Sequence, residues 1–353
     1  TPPVTPPVTP PFTPPFTPPV TPPVTPPVIP PSLPPKKIDN LFDHQGEALE
    51  NWKLNDYRGI FEHATGSGKT VTALKAIDDH LIIGGAVLIL VPSKLLFNQW
   101  QDEIKSEIDN PVILLAGGGN TKWKKNNRLE HHVAQSVSET SRIVLSTMKT
   151  ASSAEFIDSF RKVDNLLIVV DEVHQIGSEM NSRSMGIDAS KRLGLSATPK
   201  RYGDPEGTQQ IIEYFGKIIE PVFTLYDAIK AGRLVEYEYF PHLIHLTPKE
   251  SEEWKIETEK IKKEIAISNS NKDSFFLSPR AKMLLIQRSR IAKKSKAKLK
   301  LVKKTIEKNY VKGQKWLVYC EDEDQLKEVK KIIKNLNHDV YEYHSKMFGD
   351  NEA

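Results

Sequence analysis

The run His63-Ala64-Thr65-Gly66-Ser67-Gly68-Lys69-Thr70 has the residue types of a phosphate cradle. Glycines let backbone amides curl around a phosphate, and a helix starting at the lysine adds the positive end of its dipole. Thr65, Gly66, Ser67 and Gly68 would line the cradle. Lys69 would reach the β- and γ-phosphates, and Thr70 would place its hydroxyl on Mg²⁺. A glycine-rich turn before a helix is the plain alternative, and it leaves the Lys-Thr pair without a reason. A second acidic element is needed to hold the metal. Asp171-Glu172 supplies it 102 residues after Lys69, closing the apolar run 166–170. Asp171 would hold Mg²⁺ through water, and Glu172 would orient and deprotonate an attacking water. Solvated turn acids are the plain alternative here. Neighbours along an extended chain point apart, which suits two separate roles.

These groups need a scaffold that brings distant segments to one edge. Short apolar runs at 59–62, 86–91, 112–115, 143–146, 166–170 and 192–196 read as strands. Amphipathic stretches such as 70–80 and 93–108 lie between them. Buried strands alternating with helices imply an α/β fold, a parallel sheet covered on both faces. Its ligand crevice lies outside the carboxyl ends of the strands. This block ends near residue 234. Residues 245–312 read as helical and strongly basic. A strand at 315–319, a helix at 324–335 and a strand at 339–344 read as the start of a second α/β unit.

With 353 residues, 38% hydrophobic and 27% charged, the chain is long enough for two domains with real cores. No run of about 18 uncharged apolar residues occurs, so no transmembrane helix and no membrane partner is indicated. The single cysteine, Cys320, excludes an internal disulfide and a thiolate metal site, and fits a reducing compartment, cytoplasmic, nucleoid or nuclear. His131-His132 reads as a surface pair rather than a metal site. Residues 1–36 repeat Thr-Pro-Pro-Val with drift and hold 18 of the 26 prolines. Proline forbids helix and ladder alike, so an extended polyproline II spacer is expected. The sharper possibility is a ligand for a proline-recognising domain.

Asp171-Glu172-Val173-His174 and Leu195-Ser196-Ala197-Thr198-Pro199, taken with Ala64–Thr70, resemble the motifs of superfamily 2 helicases of the DExH type, in that family's order. The resemblance implies a RecA-like P-loop NTPase lobe that uses ATP and Mg²⁺. It makes Gln45 a reader of the adenine edge, with Phe42 standing where the family often has arginine. It makes Ser93 and Lys94, in a segment running on to Gln99-Trp100, and Thr147, after Ser146, contacts to nucleic-acid phosphates. Gly117-Gly118-Gly119 could let the backbone approach phosphates too. Ser196, Thr198 and His174 would couple the nucleotide site to the cleft between two lobes. Each of the lesser motifs has an ordinary reading as well: Trp100 as core, Ser146 as a strand end, the glycines as a flexible turn.

The segments around Tyr214-Phe215-Gly216 and Ala228–Val235 look like the restriction-translocase and excision-repair branch, which favours DNA over RNA. Lys315–Cys320 and Tyr343–Lys346 resemble the first strands of the second lobe. The implied layout is a proline-rich linker at 1–36, an ATP-binding lobe at 37–240, a basic helical connector at 241–312 and the start of a second lobe at 313–353. The family's later motifs, one of which supplies an arginine to the transferring phosphoryl, would then lie past Ala353. The chain is accordingly expected to be a fragment that binds ATP and hydrolyses it poorly.

Residues 280–308 hold 12 Lys or Arg against one acid, Glu307. Such a run is either a solvated helix face or a sequence-independent phosphate contact. The leading expectation is an ATP-driven DNA helicase or translocase. The alternatives are an RNA helicase and a proline-rich adaptor with a nucleic-acid-binding lobe. A kinase-like enzyme is disfavoured because Leu195–Pro199 would have no role.

Overall fold

The computed structural model describes residues 36–134, 141–269 and 277–344. The proline repeat, apart from Lys36, lies outside the described residues, as do Ser345 and Lys346. The chain divides into two compact units, Thr1–Tyr237 and Glu238–Ala353.

In the first unit the elements run α1 (Asp43–Leu54), β1 (Arg58–His63), α2 (Lys69–Ile82), β2 (Ala86–Val91), α3 (Lys94–Glu107), β3 (Pro111–Ala116), α4 (Arg128–Ala134) and β4 (Ser141–Thr147). They continue with α5 (Met148–Ala151), α6 (Ala154–Asp158), β5 (Leu166–Asp171), β6 (Lys191–Ser196), α7 (Pro205–Phe215), β7 (Ile218–Phe223) and α8 (Leu225–Lys230). All seven strands form one parallel sheet in the order β3-β4-β2-β5-β6-β1-β7.

The continuous apolar runs of β2 and β5 follow from their central place, where every residue of both strands is buried. Successive side chains feed opposite faces. Val87, Ile89 and Val91 join a core with Trp52, Leu74, Ile77, Phe97 and Trp100 from α1, α2 and α3. Leu88 and Leu90 join the opposite core, with Met148, Phe156, Ile211 and Phe215 from α5, α6 and α7. The sheet is thus RecA-like, α/β and covered on both faces.

The six expected strands are present, 86–91 with its bounds unchanged and the other five extended by one to three residues. Strand β7 was not foreseen. Pro221 interrupts its pattern, and proline lacks a ladder donor, so such a strand is tolerated at a sheet edge. β7 is that edge strand. It approaches β1 closely, and a Cβ on Gly59 would lie 2.2 Å from Cγ1 of Ile219.

The second unit contains α9 (Pro248–Asn269), α10 (Pro279–Lys293), α11 (Lys296–Asn309) and α12 (Glu323–Asn335). Helix α10 packs along α9, with the Arg288 guanidinium over the Trp254 ring and bonded to Thr258 Oγ1 at 3.3 Å. Ile306, Val329 and Ile333 form a small core with Val318, Cys320 and Val340 around them. The strands expected at 315–319 and 339–344 are not formed, and no ladder occurs among the described residues of this unit. A strand needs a paired neighbour for its backbone groups, and these short runs have none.

Candidate nucleotide and nucleic-acid sites

Because the sheet is wholly parallel, all seven strands end on one edge. Across that edge Phe61, Leu195 and Asp171 stand level on β1, β6 and β5. The glycine-rich loop leaves β1 and enters α2 there. Gly66 and Gly68 adopt left-handed backbone with φ of 80° and 86°, a region open to glycine at little cost. Gly68 caps α2, so the first amides of a 14-residue helix face the loop. Lys69 Nζ donates to the His63 carbonyl at 2.9 Å. Burial holds its ammonium below the ordinary lysine value, and the Glu172 and Asp171 carboxylates oppose that shift. Ser67 Oγ and His63 Nδ1 are buried and make no hydrogen bond. Thr65 and Gly66 are exposed, and Thr70 is half-buried in the first turn of α2.

Asp171 is 7% exposed at the end of β5. Its Oδ2 accepts from Trp100 Nε1 at 2.9 Å and its Oδ1 from the Glu172 amide at 2.9 Å. The acid pair does not run on as extended chain. Glu172 is left-handed, with φ 49° and ψ 51°, and turns the chain sharply into the 3₁₀ turn Val173–Gln175. That turn brings His174 back, so that its Nδ1 lies 3.1 Å from Ser196 Oγ and 3.4 Å from Glu172 Oε2. Ser196 Oγ also accepts from the Thr198 amide at 3.0 Å. Arg201 donates to the His174 carbonyl and pairs with Asp204 at 2.7 Å. Glu172, His174, Ser196 and Thr198 therefore form one contiguous polar chain between β5 and β6.

Gln45 is buried, at 1% exposure. Its amide Nε2 donates to the Gly68 carbonyl at 3.0 Å and the Ser67 carbonyl at 3.4 Å, while its Oε1 accepts from the Phe42 amide at 2.8 Å. The expected adenine reader is thus engaged with the phosphate loop. Beside it, Arg233 donates to the Ser67 carbonyl at 3.3 Å, and Leu234 lies against Gly66.

The other half of the edge gathers the residues expected to touch nucleic acid. Ser93 caps α3 after β2, with its Oγ accepting from the Leu96 amide at 3.3 Å, and Lys94 is exposed. Thr147 ends β4, level with Val91, and its hydroxyl donates to Thr150 Oγ1 at 3.0 Å. Gly117, after β3, packs so closely that a Cβ would meet Thr147 and Thr150 hydroxyls at 2.5 Å. Trp100 joins the two halves, since its helix begins beside Ser93 and its indole bonds Asp171.

Several of these partners were invisible in the sequence. Trp100 read as the end of a motif or as core and Arg233 as part of a branch signature, while Arg201 carried no motif; each matters through a neighbour 27 to 166 residues away. His132, expected at the surface, is half-buried and bonds the Ile143 carbonyl at 3.2 Å. No cluster of three His, Cys, Asp or Glu side chains able to hold a metal occurs among the described residues. A hydroxyl on Thr70 and a buried carboxylate with free lone pairs on Asp171 are hard oxygen donors, which fit Mg²⁺ shared with substrate phosphates.

A RecA-like sheet with a phosphate loop on one strand end and an acid pair two strands away defines a P-loop nucleotide-binding lobe. Residues 38–201 match the family model of the type III restriction enzyme res subunit. Over these residues the chain is similar to that family. It is 34% identical over 166 residues to a putative DNA 3′-5′ helicase Rad25 of Haloarcula marismortui, covering 47% of this chain and 24% of that one. It is 35% identical to the DNA 3′-5′ translocase XPB2 of Sulfurisphaera tokodaii, covering 46% and 31%. It is 30% identical to a putative ATP-dependent RNA helicase QP509L of African swine fever virus, covering 57% and 37%. The matched stretches thus span about a quarter to two fifths of these relatives' lengths.

Proposed function

We propose that the protein is an ATP-dependent DNA helicase or translocase. The observation that supports this best is the shared strand-end edge. The phosphate loop, the acid pair and the Glu172–His174–Ser196–Thr198 chain occupy β1, β5 and β6. The residues assigned to the nucleic-acid backbone occupy β2 and β4 alongside. Two of the three relatives above are named for DNA and one for RNA, and the DNA reading is adopted here.

In this reading Lys69 exchanges its bond to the His63 carbonyl for the β- and γ-phosphates of ATP. The amides of Thr65–Thr70 wrap the phosphates, and the orphaned Ser67 hydroxyl gains a partner. Thr70 and Asp171 would hold Mg²⁺, which neutralises charge on the transferring phosphoryl. Glu172 takes the proton of the attacking water. His174 and Ser196 register the loss of the γ-phosphate through their contact with Glu172, and Thr198 passes the change along the edge. Trp100 ties Asp171 to the helix whose start carries Ser93 and Lys94, giving a physical route from nucleotide to nucleic acid. Closing on ATP and opening after hydrolysis would then step the protein along a strand.

We read residues 37–240 as the ATP-binding lobe, 241–312 as a basic connector and 313–353 as the opening of a second lobe. The repeat at 1–36 offers a proline-rich sequence that a proline-recognising domain could bind. A DNA-containing compartment, cytoplasmic, nucleoid or nuclear, suits this reading. Among the described residues no helix is long and apolar enough to cross a membrane.

The test is ATP hydrolysis by the full chain with duplex DNA or single-stranded RNA added, for the wild type and Lys69→Ala. Duplex DNA should stimulate hydrolysis more than RNA does, and Lys69→Ala should abolish both basal and stimulated rates. Stimulation by RNA alone would replace DNA as the substrate. An active Lys69→Ala would remove the site.

A further inference from the structure

One carbonyl of the phosphate loop is held by side chains alone. The Ser67 oxygen lies 3.2 Å from His44 Nε2, 3.3 Å from Arg233 Nη1 and 3.4 Å from Gln45 Nε2. Among the described residues no backbone amide bonds it. A peptide unit is planar and trans, so its N–H points away from its C=O. Groups that hold the Ser67 carbonyl outward therefore aim the Gly68 amide inward, toward the position read as taking the phosphates. Gly68 tolerates the resulting left-handed backbone, φ 86°, because it has no Cβ.

Arg233 differs from the other two donors. His44 and Gln45 both belong to α1, beside the loop. His44 Nε2 donates in only one tautomer and also stands 3.5 Å from Arg233 Nη1, and Gln45 Nε2 lies nearer the Gly68 carbonyl, at 3.0 Å. Arg233 is charged at every working pH and arrives from 166 residues along the chain. Local structure fixes where it arrives. Gly232 takes left-handed backbone, φ 68°, just past the end of α8. The amides of Arg233 and Leu234 then both bond the carbonyl of fully buried Ala228, at 2.9 and 3.2 Å. Leu234 packs on the same loop, and a Cβ on Gly66 would lie 3.0 Å from its Cδ2.

We propose that Arg233 is a positioning residue of the phosphate site. Through the Ser67 carbonyl it fixes the Ser67–Gly68 peptide with the amide turned toward the phosphates, so that a ligand meets a donor already in line. It acts on the loop and touches no ligand. This rests on the reading of residues 64–70 as a triphosphate cradle.

Two measurements on the full chain test the role. Affinities for Mg-ATP and Mg-tripolyphosphate would be compared for the wild type, Arg233→Met and Arg233→Lys. Arg233→Met keeps an apolar stem and loses every donor. It should weaken both ligands equally, by about tenfold, the scale of one charged hydrogen bond. Arg233→Lys retains a charged donor and should stay within about threefold of the wild type. The second measurement is made without ligand. Ser67-Gly68 is the only Ser-Gly pair in the chain. Serine labelled at its carbonyl carbon and glycine labelled at nitrogen thus isolate this one peptide by nuclear magnetic resonance. Its amide signal should be sharp in the wild type and in Arg233→Lys, and broadened by exchange between orientations in Arg233→Met. A loss confined to ATP would put Arg233 on the base and overturn the proposal. Equal losses with a signal as sharp as the wild type's would put the guanidinium on the ligand itself, and overturn it too. Unchanged affinities, or an Arg233→Lys as weak as Arg233→Met, would do the same. A wild type that binds neither ligand would remove the cradle reading, and the positioning role with it.

Discussion

Glu172 is where the proposed general base and a strained backbone coincide. A non-glycine residue in the left-handed region costs about 1 kcal/mol, and such residues persist where surrounding structure holds them. Here the left-handed turn is what returns His174 to Ser196 and leaves the Glu172 carboxylate 3.4 Å from the imidazole. Two substitutions divide the two contributions. Glu172→Gln keeps size and backbone and removes the base; ATP binding should persist while turnover falls by at least about 100-fold, the usual contribution of a general base. Glu172→Gly removes the strain as well, and should lose turnover equally while raising unfolding free energy by up to about 1 kcal/mol. Denaturant melts of the two variants give the comparison; a Glu172→Gly protein less stable than Glu172→Gln would show that the turn is not strained. The position of Asp171-Glu172 at a strand end was legible, because an apolar run closed by two acids has few other meanings. The turn was not, since nothing in the side chain of Glu172 signals φ above zero. The hydrogen-bond partners of Gln45, Trp100, Arg201 and Arg233 were opaque for a related reason: they lie on other elements, and only the folded sheet brings them together.

Elements whose signal is periodic apolar burial could be read directly, and those depending on an unusual neighbour could not. β2 and β5 announce themselves as central strands, whereas β7 hides behind Pro221 and the runs at 315–319 and 339–344 stay unpaired. The same contrast bears on the basic helices. Many of their cations are occupied: Arg290 and Lys293 with Glu321, Lys294 with Asp322, Lys303 with Glu307, Arg288 with Trp254. On α11, Lys296, Lys300, Lys304 and Lys308 are exposed and recur every fourth residue, so they form a row with members about 6 Å apart. None of the four is held in an ion pair among the described residues. A nucleic-acid backbone along this row would make the binding steeply salt-dependent. Replacing all four with glutamine, a comparable helix former, should leave the helical circular dichroism unchanged. The slope of log affinity against log salt for duplex DNA should become shallower by about 3.6, roughly 0.9 per lost phosphate contact. An unchanged slope would make the row a solvated face.

At the scale of the whole molecule, two buried imidazoles tie the stability of the first unit to pH. His63 ends β1 under the phosphate loop, bonded to the Pro221 carbonyl of β7 at 3.0 Å. His80 lies in the last turn of α2, bonded to the Ala86 carbonyl of β2 at 3.2 Å. Burial is the main cause that pushes each down to about 4, with His44 adding to it at His63 and Lys191 at His80. Both are therefore neutral in the fold at pH 5, while the unfolded chain, with imidazoles near 6.5, takes up protons there. The unfolded state binds more protons between these values, so stability rises with pH across the window and is fully present above about 6.5. Acidification from 6.5 toward 4 should lower the unfolding free energy by up to about 1.4 kcal/mol per pH unit for each histidine, and then level off. His63 sits under the phosphate loop and His80 at the far end of α2 against the start of β2, so acid loosens the first unit from both ends of that helix. His80→Leu, which replaces the buried ring with an apolar side chain, should halve the slope of stability against pH in chemical melts run between pH 6.5 and 4.5. A wild-type curve that is flat across that interval would mean that these imidazoles stay accessible to water, and that the base of the phosphate loop is open rather than packed.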